Sequence, residues 1–188
     1  HFFGSIVSSV VPSGSKIEYH IIDGQQRLTT VSLLLLAMHN LIKSKKIYCE
    51  NPTLSEQILE SYLISKWAKP EDRIKLRSVK ADLPALQALF SDEEEHDKGS
   101  NLTINYSFFC DMLLRQDVSV EQLFEAIGKL EIISITLDYG DNAQLIFESL
   151  NSTGLALQEG DKIRNYMFSI ENLAWRDITP VINSTALS

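Results

Sequence analysis

The hydrophobic pattern changes period near the start of the chain. Residues 2–11 (FFGSIVSSVV) and 17–22 (IEYHII) are rich in β-branched and aromatic side chains, and a turn signal, PSGS, separates them. Residues 24–43 then carry apolar side chains on nearly every face of a helix. This part of the sequence therefore predicts a β-hairpin that leads into a buried central helix.

The remaining pattern is mainly helical. It predicts helices over 54–65, 82–90, 103–115 and 119–129, a half-exposed strand over 73–79, a stronger strand over 131–138, and a helix, loop and helix over 141–168. We expect an α+β fold in one domain, residues 1–170, with a large helical insertion over about 45–130. Residues 171–188 are expected to form a tail or the start of a further helical region.

Composition limits the function classes only moderately. The chain has 188 residues, enough for one core, and its net charge of −8 disfavours generic binding of nucleic acid. Cys49 and Cys110 form no CxxC pair, so we expect reduced thiols. No apolar run is long enough to span a bilayer, and we expect a cytoplasmic protein without a membrane partner. The first residue, His1, is not an initiator methionine, which indicates a fragment.

The join between the second strand and the central helix reads DGQQR. Asp23 is a favoured N-cap residue, and Gln26 stands three positions later, as in a capping box. One interpretation is therefore an ordinary helix start. Gly24 and Arg27 do not fit it well, because glycine weakens a first turn and a cation there opposes the helix dipole.

A bound phosphate would explain both residues. Gly24 would let a ligand approach the backbone, and Arg27 would form a charge-assisted contact with an anion at the helix N-terminus. Asp23 could then hold a magnesium ion that bridges phosphate oxygens, and Gln25 or Gln26 could orient a water molecule. This interpretation makes the join a candidate nucleotide site.

A second group of polar residues lies near the other end of the chain. Asn151 and Gly154 end a short predicted helix, where they could serve only as a C-cap and turn. Arg164 and Asn165 share a face of the next helix with Asp161. Asp161 and Arg164 could form only an ion pair within that helix. Alternatively, Arg164 and Asn165 reach into the site of Arg27.

The sequence gives little indication of a metal site or of a nucleic-acid interface. The histidines lack the spacing of a metal site; we expect His20 on a strand and His39 on a helix surface. Residues 66–80 are basic and contain Trp67, so they could contact a nucleic-acid backbone or form only an exposed strand face. We expect this chain alone neither to cleave DNA nor to bind it tightly, and any weak binding should fall steeply with salt.

Three motifs together resemble a known family. The segments HFFGSIV, IIDGQQRLTT and IFESLNSTGLALQEGDKIRNYMF are similar to successive motifs of the N-terminal domain of GmrSD-type restriction endonucleases. The resemblance spans residues 1 to about 170. It implies a small sheet of the ParB/sulfiredoxin-like kind, carrying the hairpin and the central helix, beside a large helical part.

The resemblance also implies a function. In the family, DGQQR is associated with binding and hydrolysis of nucleoside triphosphates, which would assign catalysis to Asp23, Gln25, Gln26 and Arg27, with Mg²⁺ as cofactor. Gly24, Arg27, Asn151, Gly154, Arg164 and Asn165 would then be the nucleotide-binding residues. The family's first motif and its C-terminal HNH nuclease are not visible in this sequence, so contact with DNA is expected chiefly through parts that the chain lacks.

Three functions are left open at this point. The first is a nucleotide-hydrolysing regulatory domain of a restriction or phage-defence protein. The second is a sensor of nucleotide or DNA that does not turn over, and the third is a helical protein-interaction module in which both motifs are only caps. The oligomeric state is also left open, including a homo-oligomer.

Overall fold

Strands and helices are interleaved along the chain. The computed structural model describes residues 1–13, 16–77, 82–91, 99–138, 141, 146 and 181–183. The strands are β1 (Phe2–Ser13), β2 (Lys16–Asp23), β3 (Leu76–Arg77), β4 (Glu131–Leu137) and β5 (Val181–Asn183). The helices are α1 (Gln25–Lys43), α2 (Leu54–Ile58), α3 (Leu83–Phe90), α4 (Asn101–Leu114) and α5 (Val120–Gly128). A π-helical turn, Leu59–Leu63, continues α2.

The strands form one mixed sheet in the order β3-β5-β2-β1-β4. β1 and β2 pair antiparallel as the predicted hairpin, and β4 lies parallel to the other edge of β1. β1 pairs along both of its edges, and six of its twelve residues are aromatic or β-branched types of high strand propensity. The expected α+β class, with a hairpin and a large helical part, is confirmed.

The two faces of the sheet carry separate apolar clusters. Ile6 and Ile21 form one cluster, against which Leu28 of α1 packs. Val7 and Ile22 belong to the other cluster, together with Leu137. Because successive side chains of a strand point to opposite faces, these two pairs of neighbours place α1 on one face only.

The main core lies in the helical part, around α1. Its fully buried residues include Leu33, Leu36 and Met38 of α1 and Ile58 of α2. The neighbouring helices α2 and α4 pack against α1. The predicted buried central helix is thus confirmed, although it begins at Gln25. It connects the sheet to the helical part, and its N-terminus lies at the C-terminal end of β2, an interior strand of the sheet.

The predicted strand over 73–79 is mostly wrong where the structure describes it. Only Leu76 and Arg77 form β3, while Ile74 makes an isolated bridge to Ile64. Lys75 is buried rather than half-exposed. Its Nζ donates to the carbonyls of Glu60, at 3.3 Å, and Ser61, at 2.7 Å. The alternation of basic and apolar residues therefore reflects a lysine that caps the π-helical turn.

One further expectation needs correction, and another is confirmed. His39 is buried, not on a helix surface, and its Nδ1 lies 2.8 Å from Oγ of Ser55 in α2. Residues 171–188, expected to form a tail or the start of a further helical region, include the strand β5 at Val181–Asn183. His20 lies on a strand as predicted, within β2.

None of the helices in the described ranges is long and apolar enough to span a membrane.

Candidate functional site

The DGQQR join is a strand end followed at once by a helix. Asp23 is the last residue of β2, and Gly24 is the N-cap of α1. No side chain makes a capping hydrogen bond in this described segment, so the predicted capping box of Asp23 and Gln26 is wrong. A true capping box occurs instead at α5, between Ser119 and Gln122.

Gly24 is required by the backbone itself. Its φ is +91°, in the left-handed region that favours glycine. A Cβ atom there would lie 3.0 Å from the carbonyl oxygen of Ser5 and 3.0 Å from Cγ1 of Ile6. The close approach that the glycine permits is therefore made by β1 of the same chain.

Arg27 reaches across to the same strand. Its Nη1 donates to the carbonyl oxygen of Ser5 at 2.7 Å, and the Oδ2 of Asp23 lies 3.4 Å from the same nitrogen. A Cβ atom on Gly4 would lie 2.8 Å from Nε of Arg27. Gly4 has a φ of +120°, so the strand bends where the guanidinium crosses it. The motifs HFFGSIV and DGQQR are therefore in direct contact.

The position of this contact follows from the sheet register. β2 ends where Asp23 pairs with Val7, whereas β1 continues back to Phe2. The carbonyl of Ser5 lies beyond that last pair and accepts from the guanidinium of Arg27. Sequence reasoning missed Gly4 and Ser5, although a glycine within a strand often marks the close approach of another group.

The two glutamines differ in their freedom. Nε2 of Gln25 donates to the carbonyl of Ile21 at 2.9 Å, which ties this side chain to β2. Gln26 is exposed, and it makes no side-chain hydrogen bond within the described part of the chain. Of the two residues expected to orient a water molecule, Gln26 is the better placed.

The electrostatics of the join favour an anion. The first turn of α1 contains no acidic residue, and it has no side-chain cap among the described residues, so its backbone N–H groups are available. Asp23 forms an ion pair with Arg27, and its carboxylate offsets part of the charge of the guanidinium. The side chains remain 38% and 27% exposed for Arg27 and Asp23, respectively. A ligand can therefore reach both from solvent.

The donor set suits magnesium only in combination with a ligand. Asp23 supplies one carboxylate at the join, and no cluster of three His, Cys, Asp or Glu side chains occurs in the described ranges. Magnesium usually takes one or two protein carboxylates and completes its shell with phosphate oxygens and water. The residues present thus fit a nucleotide-bound ion rather than a resident one.

The second motif falls outside the described residues. This applies to Asn151, Gly154, Arg164 and Asn165, so their approach to Arg27 stays a prediction. Ile146, which precedes them in the predicted helix, packs against the cluster of Val7, Ile22 and Leu137. That cluster lies on the sheet face opposite to α1, so a shared site would have to form at the C-terminal end of β2, where both faces are within reach.

The cysteines do not resemble nucleophiles. Both Cys49 and Cys110 are free. Burial raises the pKa of the Cys49 thiol to about 11, and Glu121 adds to the effect. Burial also raises the pKa of Cys110. A reactive thiol needs a lowered pKa, so we assign no covalent chemistry to either residue.

Comparison with known families gives one match. The family model described as "GmrSD restriction endonuclease, N-terminal domain" matches residues 1–168. No curated protein matches the chain. The matched residues include β1 and the DGQQR join, which are in contact. They also include the second motif near the C-terminus.

Proposed function

Because the chain belongs to the family of GmrSD restriction endonuclease N-terminal domains, we propose that it binds and hydrolyses a nucleoside triphosphate as the regulatory domain of a restriction system. The protein is thus an N-terminal domain of a restriction or phage-defence protein, and the nucleotide chemistry is the proposal. Such a role requires the cytoplasm, where invading DNA is encountered.

One observation carries the proposal. The helix α1 begins without a side-chain cap and with a cation, Arg27, in its first turn. Open N–H groups and the helix dipole together attract phosphate. Arg27 retains unused N–H donors beyond those of Nη1 that contact Ser5 and Asp23, since a guanidinium has five. The start of α1 therefore combines the elements of a phosphate site.

Each residue of the join has a separate part in the proposed site. The N–H groups of the first turn and the guanidinium of Arg27 hold the phosphates, and Gly24 provides the left-handed turn that lets β1 pack against the helix start. Asp23 would hold a magnesium ion, which neutralises phosphate charge when it is bound with the nucleotide. Gln26 orients the attacking water, while Gln25 braces the helix start through the carbonyl of Ile21.

The rest of the site is assigned to the second motif. We propose that Asn151 and Gly154 contact the base, sugar or phosphate and that Arg164 and Asn165 reach into the same site. Contact with duplex DNA is assigned to parts of the protein that this chain lacks, and a homo-oligomer is compatible with the proposal.

The test is a nucleotide titration by calorimetry, with and without Mg²⁺, followed by a phosphate-release assay. We expect magnesium-dependent binding of a triphosphate and slow release of phosphate. Gln26→Ala should lower the rate of release and leave affinity nearly unchanged, whereas Arg27→Ala should lower affinity. Absence of binding with every common triphosphate would contradict the proposal.

A second function is supported by the contact between Arg27 and Ser5. This hydrogen bond gives Arg27 a structural role that needs no ligand, as expected for a protein-interaction module. The calorimetric titration separates the candidates. Binding without phosphate release would favour a nucleotide sensor, and no binding would favour the interaction module.

A further inference from the structure

The loop of residues 65–73, here called the Trp67 loop, presents the most exposed large apolar side chain of the described residues. Trp67 is 93% exposed, and the next in rank, Tyr48, is 73% exposed. Single exposed apolar side chains are common on protein surfaces, so exposure alone indicates nothing. The construction of the loop and its charges provide the further observations.

Backbone hydrogen bonds hold the Trp67 loop in one shape. Ser65 N–H donates to the carbonyl of Arg73 at 2.7 Å, next to the bridge between Ile64 and Ile74. Within the loop, Ala68 N–H donates to the carbonyl of Ser65 at 3.2 Å, and a 3₁₀ turn occupies Pro70–Asp72. The exposed indole is therefore carried by an ordered loop, a kind of surface structure that is frequently functional.

The ion pairs around the loop leave two cations available. Lys66 pairs with Glu60 at 2.8 Å, and Arg77 pairs with Asp72 at 3.0 Å. Lys69 and Arg73 are exposed and form no ion pair within the described ranges. Glu71 is the one exposed carboxylate of the loop that lacks a described ion pair. The Trp67 loop is therefore a locally cationic place on a protein whose net charge is −8.

The surroundings of Trp67 select among partners. A protein interface usually surrounds an aromatic anchor with further apolar side chains. Within the loop, Trp67 has only Ala68 and Pro70 as apolar companions, and cations stand on both sides of it in sequence. An unpaired base offers a flat surface for stacking, and its neighbouring phosphates match the cations.

We propose that the Trp67 loop binds single-stranded nucleic acid, with an unpaired base stacked on Trp67 and flanking phosphates contacted by Lys69 and Arg73. This site needs no nucleoside triphosphate and is independent of the function proposed for the DGQQR join. The proposal attributes the weak, salt-dependent binding of nucleic acid expected of residues 66–80 to the indole of Trp67 and the cations of Lys69 and Arg73.

The experiment measures fluorescence anisotropy of a short labelled oligothymidylate, titrated with the full chain at low salt. Trp67→Ala should weaken binding by at least about fivefold, because a stacked base contributes roughly 1–3 kcal/mol. Trp67→Phe should retain most of the affinity. An oligouridylate compared with an oligodeoxyuridylate of the same length distinguishes RNA from DNA as the favoured strand, because the two differ only in the sugar.

A charge-matched control tests the two cations. The double variant Lys69→Ala/Arg73→Ala should weaken binding and reduce the salt dependence by about 0.7 in log–log slope for each lost phosphate contact. The control, Lys45→Ala/Arg115→Ala, removes the same charge at exposed positions that form no ion pair within the described ranges, and it should leave both quantities nearly unchanged. Circular dichroism and a thermal melt confirm that each variant is folded.

Four results would overturn the proposal. These are no binding by the wild type at low salt, equal binding by Trp67→Ala, an equal loss in the charge-matched control, and tighter binding of a duplex than of a single strand. If Trp67→Ala changes the sedimentation of the chain and not its affinity for the oligonucleotide, the loop is a protein contact and the proposal is wrong.

Discussion

Arg27 has two separable consequences at the scale of a single residue. Its hydrogen bond to the carbonyl of Ser5 joins α1 to β1, and its remaining donors are available to the phosphate that we propose at the helix start. The dipole conflict alone would predict that its removal leaves stability unchanged or slightly raised. The contact with Ser5 reverses that expectation.

Arg27→Ala should lower the free energy of unfolding by about 1–2 kcal/mol, because a partly exposed, charge-assisted hydrogen bond is lost. Urea unfolding measures this change, and nucleotide calorimetry on the same sample measures the loss of affinity. Arg27→Lys is the matched control: it keeps the charge but cannot reproduce the planar contact. Unchanged stability in Arg27→Ala would remove the structural role.

Gly24→Ala should destabilise the protein by more than about 1 kcal/mol, because alanine at a positive φ is strained and its Cβ would meet the carbonyl of Ser5. Gly128→Ala is the control, since a Cβ there would meet nothing within 4 Å. Thermal melts of the two variants should differ clearly. A similar melting temperature for both would mean that the join can relax around a side chain.

At the scale of elements, the hydrophobic pattern predicted most of what the structure describes. The hairpin, α1 and the helix that begins at Leu83 follow from periodicity and turn residues alone. The pattern could not predict which polar side chains of these elements are buried. His39 is buried because Ser55 of α2 accommodates its ring, and that pairing is a tertiary contact without local signal.

The candidate site was predicted in its residues but not in its geometry. Asp23 and Gln26 have the spacing of a capping box, yet the strand β2 extends through Asp23 and leaves Gly24 as the N-cap. Strand pairing with Val7 fixes the backbone of Asp23, so local capping preference gives way to the sheet. The sequence could not identify Ser5 as the partner of Arg27, because Ser5 accepts the hydrogen bond through its backbone carbonyl, which every residue type has.

The contact between α1 and α4 provides a prediction about pH. Nδ2 of Asn40 donates to the hydroxyl of Tyr106 at 2.8 Å, and burial raises the pKa of Tyr106 to about 12 from an ordinary value of 10.0. Between these two values the folded protein retains a proton that the unfolded chain loses. The free energy of unfolding should therefore fall as the pH rises through this range.

Tyr106→Phe should remove this alkaline loss while costing about 1 kcal/mol at neutral pH, where the hydrogen bond from Asn40 is missing. Urea unfolding of the wild type and the variant at neutral pH and at about pH 11 tests both parts. Tyr48→Phe, at an exposed position, controls for the loss of a phenol. Parallel pH dependence in wild type and Tyr106→Phe would contradict the prediction.

At the scale of the whole molecule, α1 connects ligand binding to global stability. Its N-terminus adjoins the proposed phosphate site, and its middle forms the centre of the helical core. A ligand that binds only the folded state stabilises it by mass action, by about 2.7 kcal/mol at a hundredfold excess over the Kd. Binding at the join should therefore affect the unfolding of the entire domain.

We expect a nucleoside triphosphate with Mg²⁺ to raise the melting temperature by several degrees, with an increase that grows with ligand concentration. Arg27→Ala should melt at the same temperature with and without nucleotide. A control titration with Mg²⁺ alone separates the effect of the metal. A shift that persists in Arg27→Ala would place the ligand elsewhere on the protein.

The parallel pairing of β1 with β4 also has a consequence for synthesis of the protein. Phe2 pairs with Glu131, so β1 leaves the ribosome long before its partner strand, which follows the helical part. The hairpin and the helices can form from neighbouring residues, but this edge of β1 is left unpaired until translation has passed Leu137. A nascent chain arrested before β4 would expose an apolar strand edge, the kind of surface that chaperones shield and that aggregates when they do not.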